Sequence, residues 1–180
     1  MERIRLHDEA EMHDTEAVRR HVLTYLKEQK GYADEDIETG RVFEVKDGTS
    51  SVDFIIKISG RRLVAIKCVT SSIDSRERHI LAFSRVVDEH LIPLSVVTDA
   101  ETTKILDTAS GRLISEDIRA IPSRAEINLD AFELKKCPEE RRQKEQRILL
   151  AFETVSCRTG SQTQSAGGQC PQSGRGHCPP

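Results

Sequence analysis

The chain has 180 residues, with 27 Lys plus Arg against 30 Asp plus Glu and a formal net charge of −3. One domain with its own core is therefore expected, and any nucleic-acid face must be local, because the whole molecule carries no basic signature. Aromatic residues make up only 4% and Trp is absent, which argues against base stacking as the main mode of recognition and leaves contacts to a duplex backbone.

The N-terminal stretch MERIRLHDEAEMHD is charged and lacks the apolar core of a signal peptide. No run approaches the length of a membrane helix, so a soluble cytoplasmic protein is expected. Cys68, Cys137, Cys157, Cys170 and Cys178 are odd in number and show no C-x-x-C pairing, which speaks against a disulfide framework. Cys68, inside an apolar run, reads as a small buried hydrophobe.

Residues 1–13 show no sustained period and read as a flexible lead-in. Asp14 or Thr15 can cap a helix over residues 16–30, where Val18, Val22, Tyr25 and Leu26 recur at helical spacing and Gly31 supplies the stop. The other face of this helix carries Glu16, Arg19, Arg20, Lys27 and Glu28 and reads as solvated. A polar connection over 33–40 leads to an alternating strand over 41–45, and Asp47-Gly48 turns it antiparallel onto a strand over 51–58. Ser59-Gly60-Arg61-Arg62 then turns the chain into a strand over 63–69, completing an antiparallel meander.

A helix is expected over 74–90, with Ile80, Leu81, Phe83, Val86 and Val87 as its apolar stripe and Asp74 or Ser75 as its cap. The strand over 94–98 makes strand, helix and strand into a crossover unit. Segments 104–107 and 112–114 flank the turn Thr108-Ala109-Ser110-Gly111 as a small hairpin. Residues 115–138 read as irregular, anchored by Ile118, Ile121, Ile127, Leu129, Phe132 and Leu134. A last helix over 139–155 has its apolar residues in its C-terminal half, so its first half is expected in solvent. The domain runs over 14–157. From Arg158 the composition turns to Gly, Ser, Gln and Pro, which cannot bury enough surface to offset ordering entropy, so disorder is expected. Cys170, His177 and Cys178 fit no usual zinc spacing.

Glu16 in a helix, Asp53 in a strand, the hairpin to LVAIKCV and the helix after it resemble the PD-(D/E)XK nuclease superfamily. The resemblance is closest to the N-terminal domain of type I restriction enzyme R subunits. The stretch IPLSVVTDAETTKILDTASGRLI is similar to that family's strand, turn and Asp-x-x-Thr-Gly hairpin, and the resemblance covers residues 15–125. It implies an α/β fold, a restriction-endonuclease-like mixed central sheet flanked by helices. It also implies carboxylates converging on Mg²⁺ and a Lys beside the attacking water.

In active members the second strand ends Glu-x-Lys; here the Glu position falls on Lys67 and the Lys position on Val69. Asp53 matches the first-strand acid and Glu16 the helix acid, with Asp14 close by, so Asp53 and Glu16 are the metal candidates and Asp53, Lys67 and Glu16 the catalytic ones. An ammonium at Lys67 opposes a divalent cation, so Mg²⁺ is expected to be held weakly or lost. Lys67 could act as the catalytic lysine if Glu44 or Asp74 completed the metal shell, and strand alternation makes Lys57 another candidate base. The plain alternative is a structural Asp53–Lys67 ion pair across adjacent strands.

Arg61, Arg62, Arg76 and Arg78, with His79 and Arg85, lie beyond the hairpin and along the next helix and are the candidate phosphate contacts. Interspersed Asp74, Glu77, Asp88 and Glu89 leave a solvated face as the other reading. No G-x-x-x-x-G-K-[ST] loop occurs, so the ATP-driven motor of a full R subunit is not expected here. The expected function is a stand-alone domain of R-subunit N-terminal type that binds DNA or a related nucleic acid through a degenerate nuclease site, with cleavage left open. The alternative is a non-enzymatic protein-interaction scaffold on the same fold.

Overall fold

The computed structural model describes residues 14–45, 48–70 and 72–159. The expected lead-in over 1–13, the tail beyond 159 and the Cys170, His177, Cys178 group lie outside the described residues. Helix α1 spans Thr15–Glu28. Asp14 caps it, its Oδ1 accepting the Glu16 N–H at 3.1 Å, which satisfies one of the amides that a first helical turn leaves without a partner. Val18, Val22 and Leu26 recur every fourth residue and are buried, forming the stripe that meets the sheet. Gly31, at φ +72°, supplies the left-handed residue that ends the run.

Strand β1, Ile37–Thr39, lies within the connection that the sequence presents as polar. It is an edge strand with a single apolar residue, Ile37, and its Glu38 is buried by ion pairing, so the alternation that marks a half-buried strand is missing. Strands β2, Val42–Val45, and β3, Gly48–Ser51, pair antiparallel in a sheet of their own, with Val42 opposite Ser51. The hairpin expected around Asp47-Gly48 is thus present in its pairing.

The single strand expected over 51–58 is broken. The chain re-enters the central sheet as β4, Phe54–Ile58, and β1 rather than β2 is its outer neighbour. The expected meander is corrected accordingly. The break falls at Val52-Asp53, where the Asp53 carboxylate accepts the Cys68 N–H at 2.7 Å and takes over from the strand ladder.

Ser59 and Gly60, at φ 50° and 80°, make a two-residue turn with both central residues left-handed, the geometry that matches strand twist. It leads into β5, Arg61–Cys68. Helix α2, Ile73–Val86, then crosses to β6, Leu94–Thr98, which runs parallel to β5 as a crossover requires. Strands β7, Thr103–Asp107, and β8, Leu113–Ser115, follow antiparallel. Helix α3 spans Glu139–Thr159.

The central sheet is mixed and six-stranded, in the order β1-β4-β5-β6-β7-β8. On one face Val18, Val22 and Leu26 of α1 pack with Phe54, Ile56, Ile66 and Val96. On the other, Ile55, Ala65 and Val97 meet Ile80 and Phe83 of α2 and Leu149 of α3. This is the α/β architecture expected from the resemblance, a mixed sheet with helices on both faces.

Residues 115–138 form only short turns beyond Ser115 and close over the α1 side through Ile121, with Ile118, Ile127, Leu129 and Phe132 packed against the cluster. Leu134, expected as an anchor, is 59% exposed and stands outside both buried clusters. The first half of α3 is not wholly in solvent either, because Glu145 is 1% exposed. Among the described residues no helix is long and apolar enough to cross a membrane.

Candidate functional site

The break between β3 and β4 carries Asp53 to the end of α1. Its backbone N–H donates to the Ile66 carbonyl at 3.1 Å, its own carbonyl accepts the Gly40 N–H at 3.0 Å, and its side chain is nearly fully buried. Both carboxylate oxygens are engaged. Oδ1 accepts from Arg19 Nε at 2.5 Å, while Oδ2 accepts the Cys68 N–H and stands 3.6 Å from Lys67 Nζ. Arg19 in turn donates through Nη1 to Glu16 Oε2 at 3.3 Å, one helical turn away. Three residues singled out in the sequence, Glu16, Asp53 and Lys67, therefore lie together, and Arg19 is the link between the two acids.

Arg19 escapes a sequence reading because it belongs to the charged face of α1. The available signal was its spacing: three residues after Glu16 and one after Val18, it shares the acid's side of the helix while bordering the apolar stripe. Partial burial works against its charge, but hydrogen bonding and attraction to Asp53, then to Glu16, hold the guanidinium above its ordinary pKa. Cys68, whose backbone N–H reaches Asp53, is itself buried; burial, followed by the negative charge of Asp53, pushes its thiol well up.

A cleft of about 600 Å³ opens beside Asp53 between α1 and the β2–β3 hairpin. Glu16, Arg19, Arg20, Gly40, Val42 and Asp53 are among its walls. Val69, at the position where active nucleases carry lysine, is 5% exposed and packs in the α2-side core, its N–H bonded to the Thr98 carbonyl at 2.9 Å. No proton-transfer group stands there.

The donors around Asp53 do not fit a divalent cation. Mg²⁺ needs several oxygen ligands with open lone pairs, whereas the Asp53 oxygens point at a guanidinium, an ammonium and an amide. Glu16 Oε2 is held by Arg19. The acids considered as replacements sit elsewhere. Asp74 pairs with Lys104 at 2.5 Å, and Glu44 is exposed on β2 in the separate hairpin. Lys57 is drawn to Glu38 at 3.2 Å instead of Asp53. Among the described residues no group of three or more His, Cys, Asp or Glu gathers as a metal shell.

The four candidate phosphate arginines are half-buried, and each has a partner within the fold. Arg61 donates to the carbonyls of Leu129 and Phe132 at 3.0 and 2.6 Å. Arg62 bridges Asp88 and Glu38 at 3.0 and 3.1 Å, with its guanidinium over the Phe43 ring. Arg78 pairs with Glu145 at 2.6 Å, while Arg85 and His79 are buried. Arg76 lies over the Phe152 ring at 6.0 Å. These side chains do not border the Asp53 cleft, whose basic residues are Arg19 and Arg20.

No curated protein and no solved structure matches the chain. A family model does, that of the type I restriction enzyme R protein N terminus (HSDR_N), over residues 14–122. That span runs from the cap of α1 through β8 and contains the whole Asp53 site. The chain thus belongs to the family of type I restriction enzyme R protein N-terminal domains.

Proposed function

We propose that this domain binds DNA through the Asp53 cleft between α1 and the β2–β3 hairpin, and that metal-dependent cleavage there is weak or lost. The observation that carries the reading is the charge around Asp53. Arg19, Arg20 and Lys67 stand against Asp53 and Glu16, leaving one net positive charge at the site of a protein whose formal net charge is −3. Cations that neutralise an acid where a nuclease would hold metal remove the Lewis acid's place, yet retain attraction for a phosphodiester.

The test is fluorescence anisotropy with a labelled duplex over a range of salt concentrations. Binding should weaken as salt rises, with a log–log slope of roughly −0.9 for each phosphate neutralised. Arg20→Ala, which removes an exposed cation, should weaken it several-fold. Absence of binding at low salt, or indifference to Arg20→Ala, would refute the reading. Cleavage is tested separately with Mg²⁺ and Mn²⁺ in wild type and Asp53→Asn, which keeps an acceptor for the Cys68 N–H. Equal and negligible cutting is expected. Wild-type cutting that the variant lacks would contradict the loss of chemistry.

A second reading, a protein-interaction scaffold, draws support from Arg61, Arg62 and Arg78 being engaged within the fold. In that case the arginines serve stability, and low-salt DNA binding is absent.

A further inference from the structure

Helix α3 buries a glutamate where its sequence shows no reason for burial. Glu145 is 1% exposed and receives three guanidinium groups: Arg78 at 2.6 Å, Arg85 at 2.9 Å and Arg141 at 3.5 Å. One carboxylate cannot balance three cations. Arg85 is itself 3% exposed, and the remaining bond that fixes it runs from Nε to the Thr108 carbonyl at 2.8 Å. Burial lowers its pKa; Glu145 opposes that, and the positive charges of Arg141 and Arg78 add to it. The cluster is short of negative charge.

The same residues border a groove of about 620 Å³ between α2, α3 and the β7–β8 turn. Its charged walls are Arg78, Arg85, Arg141 and Lys144 against Glu140 and Glu145, four cations to two acids. Gly111, at φ +77°, brings the turn against the cluster: a Cβ there would sit 3.2 Å from Arg85 Nη2. Lys144 is exposed and makes no hydrogen bond or ion pair among the described residues. This groove shares no wall with the Asp53 cleft.

We infer that this groove is a second anion site, built for a phosphate oxyanion, with Arg78, Arg141 and Lys144 as its contacts and Arg85 with Glu145 as the frame behind them. Two or three converging guanidinium and ammonium groups suit the spread charge of phosphate, and an arriving anion supplies the charge the cluster lacks. The phosphate can belong to a nucleic-acid backbone or to a small phosphorylated molecule. The site does not depend on the reading of the Asp53 cleft.

The experiment is an NMR titration of the full chain with inorganic phosphate, against sodium chloride at matched ionic strength, following the backbone amides of Gly111 and Lys144. Phosphate should move both amides saturably beyond the chloride response. Lys144→Glu, on the exposed rim, should weaken the apparent affinity about tenfold, the usual scale for losing a charge-assisted contact. Arg20→Ala should leave it unchanged, which separates this site from the Asp53 cleft. A short DNA duplex that moves the same amides assigns the phosphate to nucleic acid; one that leaves them still assigns it to a small ligand. Shifts no larger than those of chloride, or a phosphate response indifferent to Lys144→Glu, overturn the inference.

Discussion

Asp53 holds its place through three different partners, and each does separate work. The Cys68 N–H replaces a strand hydrogen bond, Arg19 ties α1 to the sheet, and Lys67 brings an ammonium to the side where a nuclease would place a second carboxylate. The reversal of charge at this position was legible in the sequence once the motif was laid on it. The role of Arg19 was not, because a cation on a charged helical face looks the same whether it faces water or a buried acid. Glu38 makes a related case. Only 8% exposed, it accepts Lys57 at 3.2 Å and Arg62 at 3.1 Å. Burial alone would raise its pKa, but the bonds to Arg62 and Lys57 outweigh it and hold the carboxyl below its ordinary 4.5. A carboxyl with a depressed folded-state pKa stabilises the fold above its unfolded pKa, and that stabilisation fades as the pH falls through the folded value. Glu38→Gln should therefore cost about 1–3 kcal/mol near neutral pH. Urea titrations of both proteins should show the gap narrowing below about pH 4.5; a gap constant with pH would mean the ion pairs contribute nothing.

At the level of elements, long apolar and β-branched runs announced themselves, while short elements stabilised by polar contacts did not. Helix α1, β5, α2 and β6 all follow periodic apolar patterns, and their pairing into a parallel crossover followed from strand, helix, strand order. Strand β1 and the break before β4 carry no such pattern, since β1 is fixed by Glu38 and the break by Asp53. Arg61 belongs with these polar clasps. Standing at the start of β5, it closes two carbonyls of the 129–132 segment that would otherwise lack that donor. Arg61→Ala should destabilise the fold by about 1–3 kcal/mol in denaturant titrations. Its DNA affinity, measured where the variant is fully folded, should match wild type. A stable variant with weakened DNA binding would instead place Arg61 on the interface.

For the molecule as a whole, the match over residues 14–122 and the six-stranded mixed sheet agree with the resemblance drawn from the hairpin and its flanking helices. The fold rests on apolar burial in β4, β5, β6 and the helices, so it does not depend on any one polar residue of the Asp53 site. An activity on such a fold would depend on which few charges meet at one point. On the proposal above, the cations around Asp53 exclude a divalent metal ion. Isothermal titration calorimetry of the folded wild type with Mg²⁺ and Mn²⁺, repeated on Asp53→Asn, tests it most directly. No saturable binding that depends on Asp53 is expected; saturable heat in the wild type that vanishes in Asp53→Asn would overturn the proposal.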